Sequence, residues 1–150
     1  MEGHTLSDIQ FQIVATKQEL EDAFHVRQIV FIDEQQVPKE LEMDQYEDDS
    51  LHFIVYLTDR PIATARIRSY LKEDTAKVER VAVLKEFRGT GIGKQLMQYI
   101  EQEATKKGYT TLRLNAQQHA ESFYEELGYQ TISEPFDEAG IQHVTMEKRI

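Results

Sequence analysis

The chain has 150 residues, 40% hydrophobic and 29% charged, a composition for one soluble globular domain over 1–150 and not for a disordered chain. It has no cysteine, which excludes disulfides, a thiolate nucleophile and any cysteine metal site, and we expect no metal. A formal net charge of -10 argues against nucleic-acid binding, and with no apolar run of membrane length and a polar start, MEGHTLSDIQ, the chain reads as cytoplasmic and off the membrane.

In chain order, FQIVAT (11–16) predicts a strand. KQELEDAFHVRQIVF (17–31) predicts a helix with Leu20, Ala23, Phe24, Val30 and Phe31 on one face. The segment 32–49 that follows is acidic and turn-prone. LHFIVYL (51–57) and IATARIRSY (62–70), joined by a turn at Asp59-Arg60-Pro61, predict a hairpin, and KVERVAV (77–83) predicts the next strand. A helix is expected from about Gly91 to Lys107, where Ile92, Leu96, Ile100 and Ala104 recur every four residues. TLRLNAQ (111–117) is a strand, AESFYEEL (120–127) a short helix closed by Gly128, and YQTIS and IQHVTMEK two closing strands. The order gives an α/β fold whose mixed, mostly antiparallel sheet is flanked by helices. Only 77–117 forms a βαβ crossover.

Between KVERVAV and the long helix lies RGTGIGKQL, with glycines at 89, 91 and 93. A Walker loop needs a glycine five positions before Gly93, where Arg88 stands, and a hydroxyl after Lys94, where Gln95 stands. A dinucleotide fingerprint needs its third glycine at 94. The pattern [Q/R]xxGx[G/A] fits Arg88-Gly89-Thr90-Gly91-Ile92-Gly93 at every fixed position. Glycines there let the unsatisfied amides of a helix start approach an anion, and the helix dipole favours it.

With that turn, VERVAVLKEFRGTGIGKQLM (78–97) and TLRLNAQQHAESFYEELGY (111–129) resemble the GNAT superfamily of acetyl-CoA-dependent N-acetyltransferases. VRQIVFIDEQQVP and FDEAGIQHVTMEK resemble its ElaA-like branch, itself distantly similar to acyl-homoserine lactone synthases. The resemblance implies a GNAT-like fold, acetyl-CoA as co-substrate, and direct acetyl transfer within a ternary complex to a primary amine of a small molecule or peptide. It implies that backbone groups of Val81, Ala82 and Val83 bind the pantetheine arm and polarise the thioester carbonyl. Arg88, Gly89, Thr90, Gly91, Ile92 and Gly93 would bind the pyrophosphate, with Lys94 as an added phosphate contact and Asn115 beside the pantetheine. Tyr124 would protonate the leaving thiolate, a role its chemistry allows, since a phenol of pKa about 10 can donate to a sulfur whose thiol has pKa about 8.5.

Glu79 is the candidate general base, two and four residues before Val81 and Val83 and on their strand face by simple alternation. His52, His119 and His143 could titrate near neutral pH, and Asp33 and Glu34 could line the acceptor side. ELEMDQYEDD (40–49) carries six acids and no base, which could attract a cationic amine or simply be a solvated loop. Arg66 and Arg68 share a strand face and could clamp an acceptor carboxylate or pair with that acidic segment. A CoA-binding module without catalysis, or transfer of a longer acyl chain, are the alternative functions. An exposed sheet edge could pair two copies.

Overall fold

The computed structural model describes residues 8–150. Its elements are β1 (Ile9–Ile13), α1 (Lys17–Arg27), α2 (Lys39–Glu42), β2 (Leu51–Leu57), β3 (Arg60–Tyr70), β4 (Lys72–Val83), α3 (Ile92–Lys106), β5 (Thr111–Gln117), α4 (Glu121–Glu126), β6 (Gln130–Thr131), β7 (Phe136–Glu138) and β8 (Ile141–Arg149). One sheet of eight strands runs in the order β1-β2-β3-β4-β5-β8-β6, with β7 also paired to β8. Only β4 and β5 are parallel, so the expected mixed sheet with one crossover is the observed one.

Several boundaries differ from expectation for local reasons. Thr16 caps α1: its side chain accepts from Glu19 N–H and the Glu19 carboxylate answers the Thr16 N–H, a capping box that ends β1 earlier than residue 16. The expected helix to residue 31 is α-helical only to Arg27, then π-helical over Gln28–Glu34. The β2–β3 turn is Thr58-Asp59, so Arg60 and Pro61 already belong to β3. α2 and β7 form in stretches expected to be loop. β7 pairs back on β8 across Ala139-Gly140, whose φ angles of 54° and 80° suit a two-residue hairpin turn.

The apolar core lies between the sheet and α3: Ile62, Ile67, Leu96, Ile100, Leu112 and Met146 are each at most 1% exposed. α1 packs on the other side, against β2, β3 and β4, and there the buried layer is largely ionic.

Candidate functional site

β4 and β5 part company halfway along. Their parallel pairing joins Thr75–Val78 to Thr111–Leu114 and stops, although β4 continues to Val83 and β5 to Gln117. The cause is a bulge in β4. Arg66 pairs with Glu79 and Thr64 with Ala82, so two steps on β3 face three on β4. Arg80 takes φ 58°, and among the described residues neither it nor Val81 has a strand-pairing partner on either side. Leu84 N–H donates to Ile62 O at 2.9 Å, so by alternation Val83 turns its peptide groups to the opposite edge, toward the gap. The gap is thus edged by backbone N–H groups of Val81 and Val83 that no neighbouring strand takes up, which can donate to a carbonyl oxygen gaining charge.

The bulge corrects two expectations. Glu79 lies opposite Arg66 and Val83 opposite Ala63, three residues apart on a regular β3, so Glu79 and Val83 are on opposite sheet faces. Ala82, aligned with Thr64, directs its peptide groups to β3 and not into the gap.

The glycine turn closes one end of the gap. Gly89 and Gly91 have φ of 77° and 91°, and Gly91 is the residue before the first turn of α3. The first helical bond is Gln95 N–H to Gly91 O, 3.0 Å, and no side chain caps the helix. The amides of Ile92, Gly93 and Lys94 therefore stay free for an anion. Thr90 Oγ1 donates to Phe87 O at 2.5 Å, bracing the turn, and the Lys94 side chain is exposed. A Cβ on Gly93 would stand 3.4 Å from Phe123 and 3.9 Å from Val83, so the turn sits against both α4 and the β4 end. Arg88 departs from expectation: its guanidinium is engaged by Glu34 at 2.6 and 2.7 Å and by Val83 O at 2.9 Å. That hydrogen bond holds the Glu34 carboxyl below its ordinary range.

Tyr124 projects from α4, 7% exposed, edge-on to Phe123 at 4.9 Å and to Tyr129 at 5.7 Å. Burial raises its pKa, so it remains a phenol at any physiological pH. Among the described residues nothing hydrogen-bonds its hydroxyl. Asn115, on β5 just past the last pair with β4, accepts from Thr145 Oγ1 at 3.0 Å and reaches Glu138 at 3.5 Å.

On the α1 face three acids of the acidic segment, Glu42, Asp44 and Glu47, are engaged internally. Arg66, fully buried, is held by Asp44 (2.9 and 2.7 Å), Glu47 (2.9 Å) and Glu79 (2.9 Å). Arg68 pairs with Glu79 at 2.8 Å and lies over the Tyr46 ring at 3.7 Å. Neither arginine is free to clamp a carboxylate. Asp44 and Glu47 answer Arg66 and Glu42 answers Arg27, while Glu40, Asp48 and Asp49 of the same segment stay exposed. Burial pulls Glu79 up, but its hydrogen bond to Arg68 and the charges of Arg66 and Lys77 outweigh it and hold the carboxyl below its usual range. A carboxylate so committed is a poor proton acceptor. His52 is also structural: Nε2 contacts Glu47 O at 2.8 Å, and burial lowers its pKa.

Two features escaped the sequence reading. Arg27, 1% exposed, binds Glu42 and Glu47, both at 2.7 Å. Its position was a signal, since 23, 27 and 30 share a helical face that is otherwise apolar, and a charge there demands buried partners. Gln35 and Gln117 exchange amide hydrogen bonds (2.9 and 3.4 Å) and tie the end of the π-helical segment to β5. A contact across 82 residues leaves no local trace. Among the described residues no helix is long and apolar enough to cross a membrane.

Residues 14–150 match the family model for the acetyltransferase (GNAT) domain. The chain is 41% identical to the uncharacterized N-acetyltransferase YjcF of Bacillus subtilis, over 91% of this chain and 96% of that one. It is 30% identical to Escherichia coli ElaA, over 83% and 84%. The crystal structure of ElaA superposes with a TM-score of 0.84 at 26% identity, covering 93% of this chain and 99% of that one. A GNAT family acetyltransferase from Elizabethkingia anophelis with acetyl-CoA bound shares the fold (TM-score 0.73, 15% identity, 95% and 99% covered).

Proposed function

The chain belongs to the GNAT acetyltransferase family, in its ElaA-like branch, and is an acyltransferase; from that premise we propose that it moves the acetyl group of acetyl-CoA directly to a primary amine of a small molecule or peptide, in the cytoplasm. The observation that carries the reading is the unpaired β4 edge at Val81 and Val83 lying beside the uncapped start of α3. The amides of Ile92, Gly93 and Lys94, with the turn from Arg88 to Gly91, would hold a pyrophosphate. The Val81–Val83 edge would receive the pantetheine as a strand partner and set its N–H groups against the thioester oxygen as charge develops there. Asn115 would flank that arm across the gap. Tyr124 would donate its phenolic proton toward the departing sulfur. Glu79, locked to Arg66 and Arg68, would position the bulge and take no proton from the acceptor. The family's co-substrate bound in the Elizabethkingia relative supports the choice of acetyl-CoA.

The test is thermal. Acetyl-CoA at a hundred times its Kd should stabilise the fold by about 2.7 kcal/mol, a melting-temperature rise of about 5–10 °C for a chain of this size. Gly91→Val should remove that rise, because a β-branched residue does not hold φ 91° and the free amides move with it. No rise in the unmodified protein, or an undiminished rise in Gly91→Val, contradicts the reading. Thiol release across a panel of amines then identifies the acceptor.

A further inference from the structure

A protonated amine must lose a proton before its lone pair can attack, and Glu79 is committed elsewhere. The β7–β8 hairpin offers another place for that proton. His143 is 7% exposed and stacks on Phe136, ring centres 6.0 Å apart and planes inclined 23°. Its Nδ1 lies 2.7 Å from Ile141 O. A carbonyl only accepts, so Nδ1 carries the hydrogen, and Nε2 of the neutral ring holds the lone pair. Nε2 is 3.7 Å from Glu138 Oε1, and the other oxygen of that carboxylate receives Asn115 Nδ2 at 3.5 Å.

The register places this pair at the gap. Asn115 and Gln117 lie opposite Thr145 and His143 on β8, at the end where β4 and β5 separate. Leu114, Ala116, Val144 and Met146 alternate to the core side, so His143 faces the α1 side, where Gln117 meets Gln35. Among the described residues Glu138, half-exposed, is the charged group within 4.0 Å of the ring; His119 approaches only indirectly, bonding Gln117 at 2.7 Å. A half-exposed carboxylate oriented by Asn115 thus leads from the gap to a buried imidazole whose tautomer is fixed.

We propose that Glu138 and His143 together remove the proton of the acceptor amine, a step that rests on the acetyl-transfer reading above. The ammonium N–H bond breaks and an O–H bond forms on Glu138. That proton passes to His143 Nε2, leaving an imidazolium whose Nδ1–H stays on Ile141 O and restoring the carboxylate. The freed lone pair forms the C–N bond and the C–S bond breaks. The second proton lost by nitrogen ends on the departing thiolate, with Tyr124 hydrogen-bonded to that sulfur and a phenol before and after the step. The imidazolium returns its proton to water through Glu138. Glu138 meets the amine; His143 acts through it as a positioning and proton-holding residue.

The test measures thiol release from acetyl-CoA with glycine, lysine, spermidine and benzylamine as probe amines, from about pH 5.5 to about 9. Glu138→Gln, at a half-exposed position that tolerates the change, and His143→Gln should each lower kcat/KM by about 10²-fold. Both should flatten the acid limb of the pH profile and keep the acetyl-CoA-induced rise in melting temperature. A kcat/KM within about threefold of the parent, or an unchanged acid limb, overturns the proposal. An arm free of any acceptor reads the imidazole nitrogens of His143 by NMR: the neutral ring must be the Nδ1–H tautomer, and an Nε2–H tautomer overturns the proposal. Failure of the parent protein to respond to acetyl-CoA at all would instead strike the acetyl-transfer reading.

Discussion

Tyr124→Phe is expected to lower kcat by about 10²-fold or more while leaving acetyl-CoA affinity nearly unchanged, the size of effect a positioned general acid supplies. The substitution removes one oxygen and keeps the ring. Its edge-on contacts to Phe123 and Tyr129 survive, and no cavity opens in the core beneath α4. Among the described residues the hydroxyl has no hydrogen-bond partner to lose, so folding stability should hold or rise slightly. That separates this variant from an ordinary core lesion, which lowers stability first. The raised pKa fixes the form of the chemistry as well. A phenol harder to ionise than usual is always in its donating state, but full transfer to a thiolate is uphill. Tyr124 would therefore act mainly by a hydrogen bond that strengthens as the C–S bond stretches, and it would impose no limb on the pH profile near neutrality. Measured kcat and KM with the best amine of the panel decide the matter: a kcat within about twofold of the parent removes Tyr124 from the chemistry.

What the sequence disclosed and what it withheld divide along physical lines. The helix from Gly91, the strands at 51–57 and 111–117 and the glycine turn were legible because each is written in a local period or a residue with φ above zero. The bulge at Arg80 was not, since an arginine with φ 58° carries no mark in a run reading KVERVAV. That one residue reversed the face assignment downstream of it and with it the placement of Glu79 relative to Val83. The roles of Arg66 and Arg68 stood between two readings until their partners were visible, because whether an arginine clamps a ligand or a carboxylate 22 residues away depends on the fold of α2 and the segment after it. His143 was one of three candidate histidines in the sequence, set apart slightly by lying in the ElaA-like stretch FDEAGIQHVTMEK; the Ile141 and Glu138 contacts are what the fold adds.

Arg66→Met should cost about 3–5 kcal/mol of folding stability, a large share of the roughly 5–15 kcal/mol that holds a domain of this kind together. The reason is the company the guanidinium keeps. It is 0% exposed and touches Asp44, Glu47 and Glu79, whose own side chains are 27%, 12% and 10% exposed. Removing it leaves three carboxylates near one another with Arg27, Arg68, Lys77 and Arg80 as incomplete substitutes. Arg60→Ala is the matched comparison: that arginine pairs with Glu86 at 2.6 Å, but both are more than half exposed, and such a solvated, screened pair contributes little to stability. Urea unfolding of both variants tests the contrast, and an Arg66→Met loss no larger than that of Arg60→Ala would show the cluster to be energetically idle. The pH dependence follows in sign. Burial pulls Glu47 up, but hydrogen bonds and charge from Arg27, then the charge of Arg66, outweigh it and push the carboxyl down to about 2 from 4.5. A carboxyl lowered by folding contributes stability that is complete above its unfolded value and lost as pH falls through the folded one. The parent should therefore weaken between about pH 4.5 and pH 2, and Arg66→Met, lacking part of the cause, should show a shallower decline. The functional consequence is geometric: Arg66 and Glu79 are the last regular pair of β3 and β4 before the bulge, so the cluster that resists acid is also the brace that keeps Val81 turned toward the gap.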